Sequence, residues 1–406
     1  MTELDVDLTT LVYGGDALGR LPDGRAVFVP YALPGERARI RVVEEKRGHA
    51  RAELVEILRA NPERIPPRCV HFGACGGCHY QHLPYEKQLE VKTGILREQL
   101  ERIAGITPVL SPIVPSPQAW HYRNAIQFSL NPEGRLGFQR AGSHSIVPIR
   151  ECHLPEQILS ELWPHLNFEP GSSIQRVELR AGMDEDVLVT LEGDDPQPPP
   201  FEVDFPVSAV HIGPAGAMVL AGDDHTLVEI LGRIFRVSAG AFFQVNTLQA
   251  EAMVKHLAEL VSLKPFHTAL DIYCGAGLFS AFLAPRVERL IGIELSPEAC
   301  ADFAVNLDEF EHVELYQGQA EQVLPALKIE ADLVVVDPPR AGLDRSVLEA
   351  LLKIAPPLLI YVSCDPATLA RDSRRLLEGG YHLQRITPFD LFPQTYAVES
   401  ISVFVK

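Results

Sequence analysis

The chain has 406 residues, of which 46% are hydrophobic and 22% charged, and a formal net charge of −18. That is the composition of an ordinary folded protein, with room for two or three cores. No apolar run reaches about 18 residues and the acidic start M-T-E-L-D-V-D has no signal-peptide pattern, which excludes a transmembrane helix and points to a cytoplasmic protein without a membrane partner. Its 7 cysteines then read as ligands, nucleophiles or core residues rather than disulfides.

Charge is unevenly spread. Residues 1–58 hold 8 Lys+Arg against 10 Asp+Glu, residues 59–150 hold 11 against 6, and the remainder 17 against 38. The acidity therefore lies in the C-terminal two-thirds. Residues 4–58 break into short β-like runs with turns between them, including A-V-F-V-P-Y and R-A-R-I-R-V-V. This spacing predicts a small five-stranded barrel. The stretch with V-F-V-P and the P-G-E turn resembles a TRAM domain, an RNA-binding module with an OB-like barrel. Arg37, Arg39, Arg41, Lys46, Arg47 and Arg51 cluster here, either as a phosphate-binding surface or as a mixed-charge strand pair.

The segment R-C-V-H-F-G-A-C-G-G-C-H-Y-Q-H follows, with Cys69, Cys75 and Cys78 in a glycine-rich loop. Cys152 stands apart in R-E-C-H-L-P. Such a loop can wrap a metal, and three clustered cysteines plus a distant fourth suit a four-iron cluster, with zinc as the rival. The radical-generating spacing C-x3-C-x2-C is absent, so the cluster reads as structural. A helix over 84–112 is expected to dock through Leu89, Leu96, Leu100 and Ile103, with its charges opposite. From 113 to 230 alternating runs predict antiparallel strands, with a loop at 194–200. H-Y-R-N (121–124) and G-F-Q-R (137–140) are RNA-contact candidates or plain strand residues.

The last part alternates strand and helix. T-A-L-D-I-Y, L-I-G-I-E, A-D-L-V-V-V-D and L-L-I-Y-V-S-C are nearly continuous apolar runs, as in a parallel sheet covered on both faces. Ligands in such sheets bind at the strands' carboxyl ends. Asp271, Gly275, Gly277, Glu294, Asp337 and Cys364 all fall there. The turn D-I-Y-C-G-A-G has the D-x-x-x-G-x-G form of S-adenosylmethionine sites, not the G-x-G-x-x-G of nicotinamide enzymes, and Glu294 is placed to bind ribose hydroxyls. Alone, Cys364 could be a buried strand-end cysteine. Beside a methyl-donor pocket, D-P-P-R and Glu399 in V-E-S, it reads as a nucleophile. Cys274 and Cys300 read as core or turn residues.

G-A-F-F-Q-V-N (240–246), D-I-Y-C-G-A-G, V-V-D-P-P-R-A-G-L, Y-V-S-C-D-P-A-T-L-A-R-D and D-L-F-P-Q-T-Y-A-V-E resemble the RNA 5-methyluridine methyltransferase family. With the TRAM-like start and the cysteine set, the whole chain is similar to its 23S ribosomal RNA subgroup with a four-iron cluster. The resemblance implies a multidomain fold: a TRAM barrel over 1–58, a central α+β iron–sulfur domain over 59–235, and a C-terminal α/β Rossmann-like methyltransferase domain over 236–406. It implies S-adenosylmethionine contacts at Gln244, Tyr273, Glu294 and Asp337, nucleophile Cys364, base Glu399, and a [4Fe-4S] cluster on Cys69, Cys75, Cys78 and Cys152. The expected substrate is 23S ribosomal RNA, as a single-stranded or loop segment with a flipped uridine, bound by a monomer. Arg340 is a candidate for a uracil carbonyl or a nearby phosphate. The T-loop uridine of transfer RNA, a cytosine C5 reaction and a non-catalytic RNA-binding assembly factor are the alternatives. Leu278, Asp365 and Ala397 depart from the family's usual Asn, Asn and His.

Overall fold

The computed structural model describes residues 3–197, 205–262 and 266–406. The expected loop at 194–200 is neither helix nor strand as far as residue 197, and its remainder lies outside the described residues. Strands β1 (Glu3–Leu11), β2 (Ala17–Arg20), β3 (Ala26–Val29), β4 (Arg37–Glu45) and β5 (His49–Arg59) close into a barrel in the order β1-β2-β3-β5-β4. Alternation builds it: in β1, Val6 and Leu8 point inward while Asp5, Asp7 and Thr9 are exposed. Two residues from beyond the barrel, Tyr80 and Leu83, complete its core. The cationic cluster on its outside is mostly paired. Arg39 meets Asp5 and Glu56, Arg41 meets Glu3 and Glu53, and Lys46 and Arg51 meet Glu44. This surface is the mixed-charge strand pair rather than a bare basic patch.

The expected helix 84–112 ends early. Helix α1 (Tyr85–Gln99) runs into a π-helical turn, Leu100–Ala104, and stops at Gly105, whose φ of 70° is left-handed. Residues 109–114 then run extended, with Leu110 bridging Ile386 and Val114 bridging Phe389. The docking face also differs from the expectation. Leu96 and Leu100 are buried, Leu89 and Ile103 only half so, and the centre of the seam is polar: Gln88, Lys92 and Gln99.

A seven-stranded sheet follows, in the order β12-β11-β10-β9-β6-β7-β8. Its strands are β6 (Ala125–Leu130), β7 (Leu136–Gln139), β8 (Ile146–Pro148), β9 (Ile174–Ala181), β10 (Val187–Gly193), β11 (Ser208–Gly213) and β12 (Gly216–Ala221), with the short helix α2 (Gln157–Leu162) between β8 and β9. Every pairing is antiparallel except β10 with β11. The hairpin β13 (His225–Ile230) and β14 (Arg233–Ser238) comes next, so residue 235 falls inside a strand. Val228, Ile230, Phe235 and Val237 of this hairpin share a core with the C-terminal sheet.

That sheet has the order β17-β16-β15-β18-β19-β21-β20. Its strands are β15 (Phe266–Ile272), β16 (Val287–Glu294), β17 (Val313–Gln317), β18 (Leu333–Val336), β19 (Leu358–Ser363), β20 (His382–Phe389) and β21 (Glu399–Val405). The helices are α3 (Thr247–Val261), α4 (Leu278–Leu283), α5 (Pro297–Asn306), α6 (Ala320–Ala326), α7 (Arg345–Ile354) and α8 (Pro366–Glu378). The first five strands are parallel; β21 enters antiparallel between β19 and β20. One face packs on α3, α4 and the hairpin, the other on α1, α6, α7 and α8. Both faces are covered, which is why Leu333–Val336 is apolar at every position and fully buried. No described helix is long and apolar enough to cross a membrane.

Candidate active site

The parallel strands end along one edge of the sheet, and the antiparallel β21 begins there. In sheet order the residues at that edge are Glu294, then Asp271 with the glycine turn, then Asp337, then Cys364, then Glu399. Strand neighbours lie about 4.8 Å apart, so the row spans about 19 Å. Asp337 is its midpoint, where a ligand over β16 and β15 would meet one over β19 and β21.

The first half of the row is tied together by backbone hydrogen bonds. Tyr273 adopts φ 65° and its amide donates to the Ile293 carbonyl at 2.9 Å. Gly275 donates its N–H to Glu294 Oε2 at 2.9 Å, while Leu295 and Ser296 donate to Oε1 at 2.7 and 2.8 Å. Glu294 is thereby held as an oriented acceptor. Gly277, at φ 89°, caps α4; a Cβ there would sit 2.4 Å from Leu307 Cδ1. At Gly275 a Cβ would meet nothing within 4 Å, so that glycine faces open space. Asp271 is buried and accepts from Ser280 Oγ at 2.6 Å. Burial lifts its pKa to about 6, against the Ser280 bonds and with help from Glu294. The Tyr273 hydroxyl points the other way, donating to Glu321 at 3.3 Å. Leu278 lies in the core, so the apolar residue at this position does not face the edge. The backbone carbonyl of Gln244, in the loop before α3, accepts from Asn124 Nδ2 at 3.0 Å.

The second half is set by register. Ser363 of β19 pairs with Ser400 of β21. The next residue along β19 is Cys364 and the preceding one along β21 is Glu399, so the two face each other. Burial lifts Glu399 to about 8, with Asp337 adding to the rise and Arg340 opposing it. Burial and the Asp271 charge lift Asp337 to about 7. The Cys364 thiol is pushed up to about 12, by burial first, then by Glu399 and Asp337, with Arg340 opposing and Asp365 adding. One guanidinium thus stands among three carboxyl groups and a thiol. Asp365 is the N-cap of α8: its Oδ1 accepts from the Ala367 and Thr368 amides at 2.9 and 2.8 Å. Asp and Asn serve equally as caps, so the departure at this position keeps the helix start intact.

Several supporting residues were not legible in sequence. Lys92 donates to Asp390 Oδ1 at 2.5 Å and to the Phe392 carbonyl at 2.9 Å. Gln88 donates to Gln394 Oε1 and accepts from the Gln394 amide, both at 3.0 Å. The polar seam of α1 therefore pins the loop 390–398 that leads into Glu399. Asn246 caps α3 and donates to Ser116 Oγ and the Leu391 carbonyl, both at 3.1 Å. A signal existed: helix-period positions 88, 92 and 99 are polar on the same side as Leu96. A cavity of about 530 Å³ is lined by His121, Tyr122 and Asn124 of the H-Y-R-N stretch and by Asn246, and by none of the expected catalytic, cofactor-binding or cluster residues.

Residues 224–406 match tRNA (uracil-5-)-methyltransferase, and residues 2–55 match the TRAM domain. An uncharacterized RNA methyltransferase of Streptomyces avermitilis is 35% identical, covering 99% of this chain and 98% of its own. The chain belongs to the RNA uracil-5-methyltransferase family. A second RNA methyltransferase relative, from Halalkalibacterium halodurans, is 33% identical over 98% of this chain and 96% of its own. Among solved structures, the Pyrococcus abyssi tRNA (uracil-54, C5)-methyltransferase in complex with S-adenosyl-L-homocysteine matches with a TM-score of 0.76 and 26% identity, over 99% and 100% of the two chains. The protein is an S-adenosylmethionine-dependent RNA methyltransferase with a TRAM domain.

In this uracil-5-methyltransferase Cys69, Cys75, Cys78 and Cys152 all line one pocket of about 300 Å³. The His71 and Gly77 amides donate to the Cys69 and Cys75 sulfurs, each at 3.4 Å. Gly76 allows the loop to touch the sheet, since a Cβ there would lie 2.9 Å from the Gln139 carbonyl oxygen. Among the described residues no three His, Cys, Asp or Glu side chains close into a metal-holding group. The four thiols meet as walls of a shared pocket. Two of the four sulfurs also accept backbone N–H bonds. Cys274 and Cys300 are buried, Cys274 in the core beneath the glycine turn.

Proposed function

We propose that this enzyme methylates C5 of a uridine in 23S ribosomal RNA through a covalent Cys364–C6 adduct, with Glu399 as base. The observation that carries this reading is the Cys364–Glu399 pair facing across β19 and β21, with Asp337 between it and the glycine turn. C5 of uracil is a weak nucleophile until a thiolate adds to C6. Addition moves the ring electrons onto the C4 carbonyl oxygen and makes C5 enolate-like. C5 then takes the methyl carbon, and the sulfonium's bonding pair leaves with a neutral thioether sulfur. Glu399 removes the remaining C5 proton, the C5=C6 bond re-forms, and the thiolate departs. Gln244, Tyr273, Gly275, Gly277, Glu294 and Asp337 are assigned to the methyl donor, Glu294 to its ribose. Arg340 is assigned to a uracil carbonyl or the adjoining phosphate, where it also favours the Cys364 thiolate.

The N–H···S bonds and the shared pocket support a [4Fe-4S] cluster on Cys69, Cys75, Cys78 and Cys152. Its role is to tie the 69–78 loop to the strand region at 152, and no step of methyl transfer passes through it. The target base must leave its stack to reach a strand-end pocket, at about a few kcal/mol and least in a loop or bulge. Residues 1–58 and the net-basic 59–150 are assigned to holding flanking RNA.

The T-loop uridine of transfer RNA is the second reading, favoured by the Pyrococcus abyssi neighbour, a tRNA (uracil-54, C5)-methyltransferase. Mass spectrometry of 23S and transfer RNA from a strain lacking the gene, mapped by nucleotide against its parent, separates the two. Loss of a methyl from 23S uridines supports the first reading. Loss from the T-loop alone keeps the chemistry and replaces the substrate, and no change in either RNA sinks both.

A further inference from the structure

We propose that Tyr13, in the barrel's β1–β2 turn, is a positioning residue for the nucleophile: its hydroxyl holds the Asp365 carboxylate and so sets the charge beside Cys364. The inference rests on reading Cys364 as the nucleophile.

Capping α8 uses only Oδ1 of Asp365. Oδ2 accepts from the Tyr13 hydroxyl, 352 residues away in sequence. The cap alone does not explain a carboxylate here, since Asn would serve as well. Tyr13 is not a loose surface ring. It packs edge-on against Tyr396, centroids 5.8 Å apart, and Tyr396 in turn meets His79 at 4.7 Å. The neighbouring Gly15 lies so close that a Cβ would come 3.2 Å from His79 Cβ. The barrel is thus seated where the Tyr13 hydroxyl reaches the turn after β19.

The groups facing Cys364 are Glu399 from β21, Asp337 and Arg340 from the turn after β18, Tyr361 from β19 and Asp365 itself. Tyr13 faces Asp365, Tyr396 and Arg340. Each carboxylate opposes formation of the thiolate. Donation from Tyr13 draws the Asp365 charge away from the sulfur, which makes that carboxylate tolerable one residue from the nucleophile. Barrel seating and nucleophile activation become coupled through one hydrogen bond.

The test uses full-length enzyme with S-adenosylmethionine and a substrate RNA carrying 5-fluorouridine, whose C5–F bond stalls the reaction as a denaturation-stable adduct. Adduct formation is followed against pH for wild type, Tyr13→Phe, Asp365→Asn and the double variant, with RNA KM measured alongside. Tyr13→Phe should slow adduct formation about threefold to tenfold near neutral pH and recover when pH is raised by about half to one unit. Its RNA KM should be unchanged. Asp365→Asn should move the profile the other way, and Tyr13→Phe should add nothing in that background. Superimposable wild-type and Tyr13→Phe profiles, an equal shift in both backgrounds, or a KM change without a pH shift each overturn the proposal. Absence of adduct in wild type would instead remove the nucleophile reading itself.

Discussion

As the proposed base, Glu399 would take up and release a proton within one turnover, and its surroundings bear on that role. It is 6% exposed, lifted to about 8, and faces a thiol lifted further. The positive sulfonium of a methyl donor bound beside Asp337 would favour the charged forms of all three acids. Replacing Glu399 with Gln leaves addition and methyl transfer possible and removes the acceptor for the C5 proton. Glu399→Gln should therefore accumulate a methylated protein–RNA adduct on a denaturing gel, while Cys364→Ala should form none and lose turnover by at least about a thousandfold. Free Glu399→Gln enzyme with no adduct would reassign the base. The raised carboxyls also tie stability to pH. Between its ordinary value of 4.5 and about 8, Glu399 keeps in the fold a proton that the unfolded chain has lost. Stability therefore falls as pH rises through that window, and Asp337 adds the same sign between 3.8 and about 7. Thermal melts should show Glu399→Gln gaining about a few kcal/mol over wild type at pH 8.5 and little at pH 4.5; a gain equal at both pH values would refute the assignment. Motif spacing marked Cys364, Asp337 and Glu399, and the sheet brings the three to one edge. Their mutual electrostatics were not legible in sequence, because that depends on which strands become neighbours.

Helix α1 shows how an element can be legible in outline and misread in its contacts. Its 3.6-residue period marks Leu96 and Leu100 for burial, and both are fully buried. The same period puts Lys92 and Gln88 on that side, where pattern reading assigns polar residues to solvent. They are buried because the loop 390–394 supplies partners: Asp390 for Lys92 and Gln394 for Gln88. The helix's early end was written locally, in Gly105 and Pro108, yet residues 109–114 could not be seen as partners of β20 without the fold. Lys92→Met should leave the Asp390 carboxylate unpaired in the core and cost about 3–5 kcal/mol in urea unfolding. Adding Asp390→Leu should return most of that loss while slowing turnover, since the loop to Glu399 loses its tether. A loss under about 1 kcal/mol for Lys92→Met would mean the pair is solvated.

Over the whole molecule, the barrel and the doubly wound sheet were readable because alternation and continuous apolar strands each imply one kind of burial. The place of β13–β14 was not, since a two-stranded hairpin carries no signal of which core receives it. Protein purified with care against oxygen should contain iron and acid-labile sulfide, about four of each per chain. Stoichiometric zinc with no iron would replace the cluster, and Cys152→Ala should lose the metal while Cys300→Ala keeps it. The barrel's floor carries a further consequence. Tyr80 and Leu83 fill it, and Tyr80 is completely buried. Between them and β5 the chain passes through Cys69, Cys75 and Cys78. A fragment ending at residue 58 would open a tyrosine-sized hole, and a recombination breakpoint there would hand its recipient an unfinished core. In this chain, a fragment that keeps the barrel's core whole has to include the three-cysteine loop and extend through Leu83.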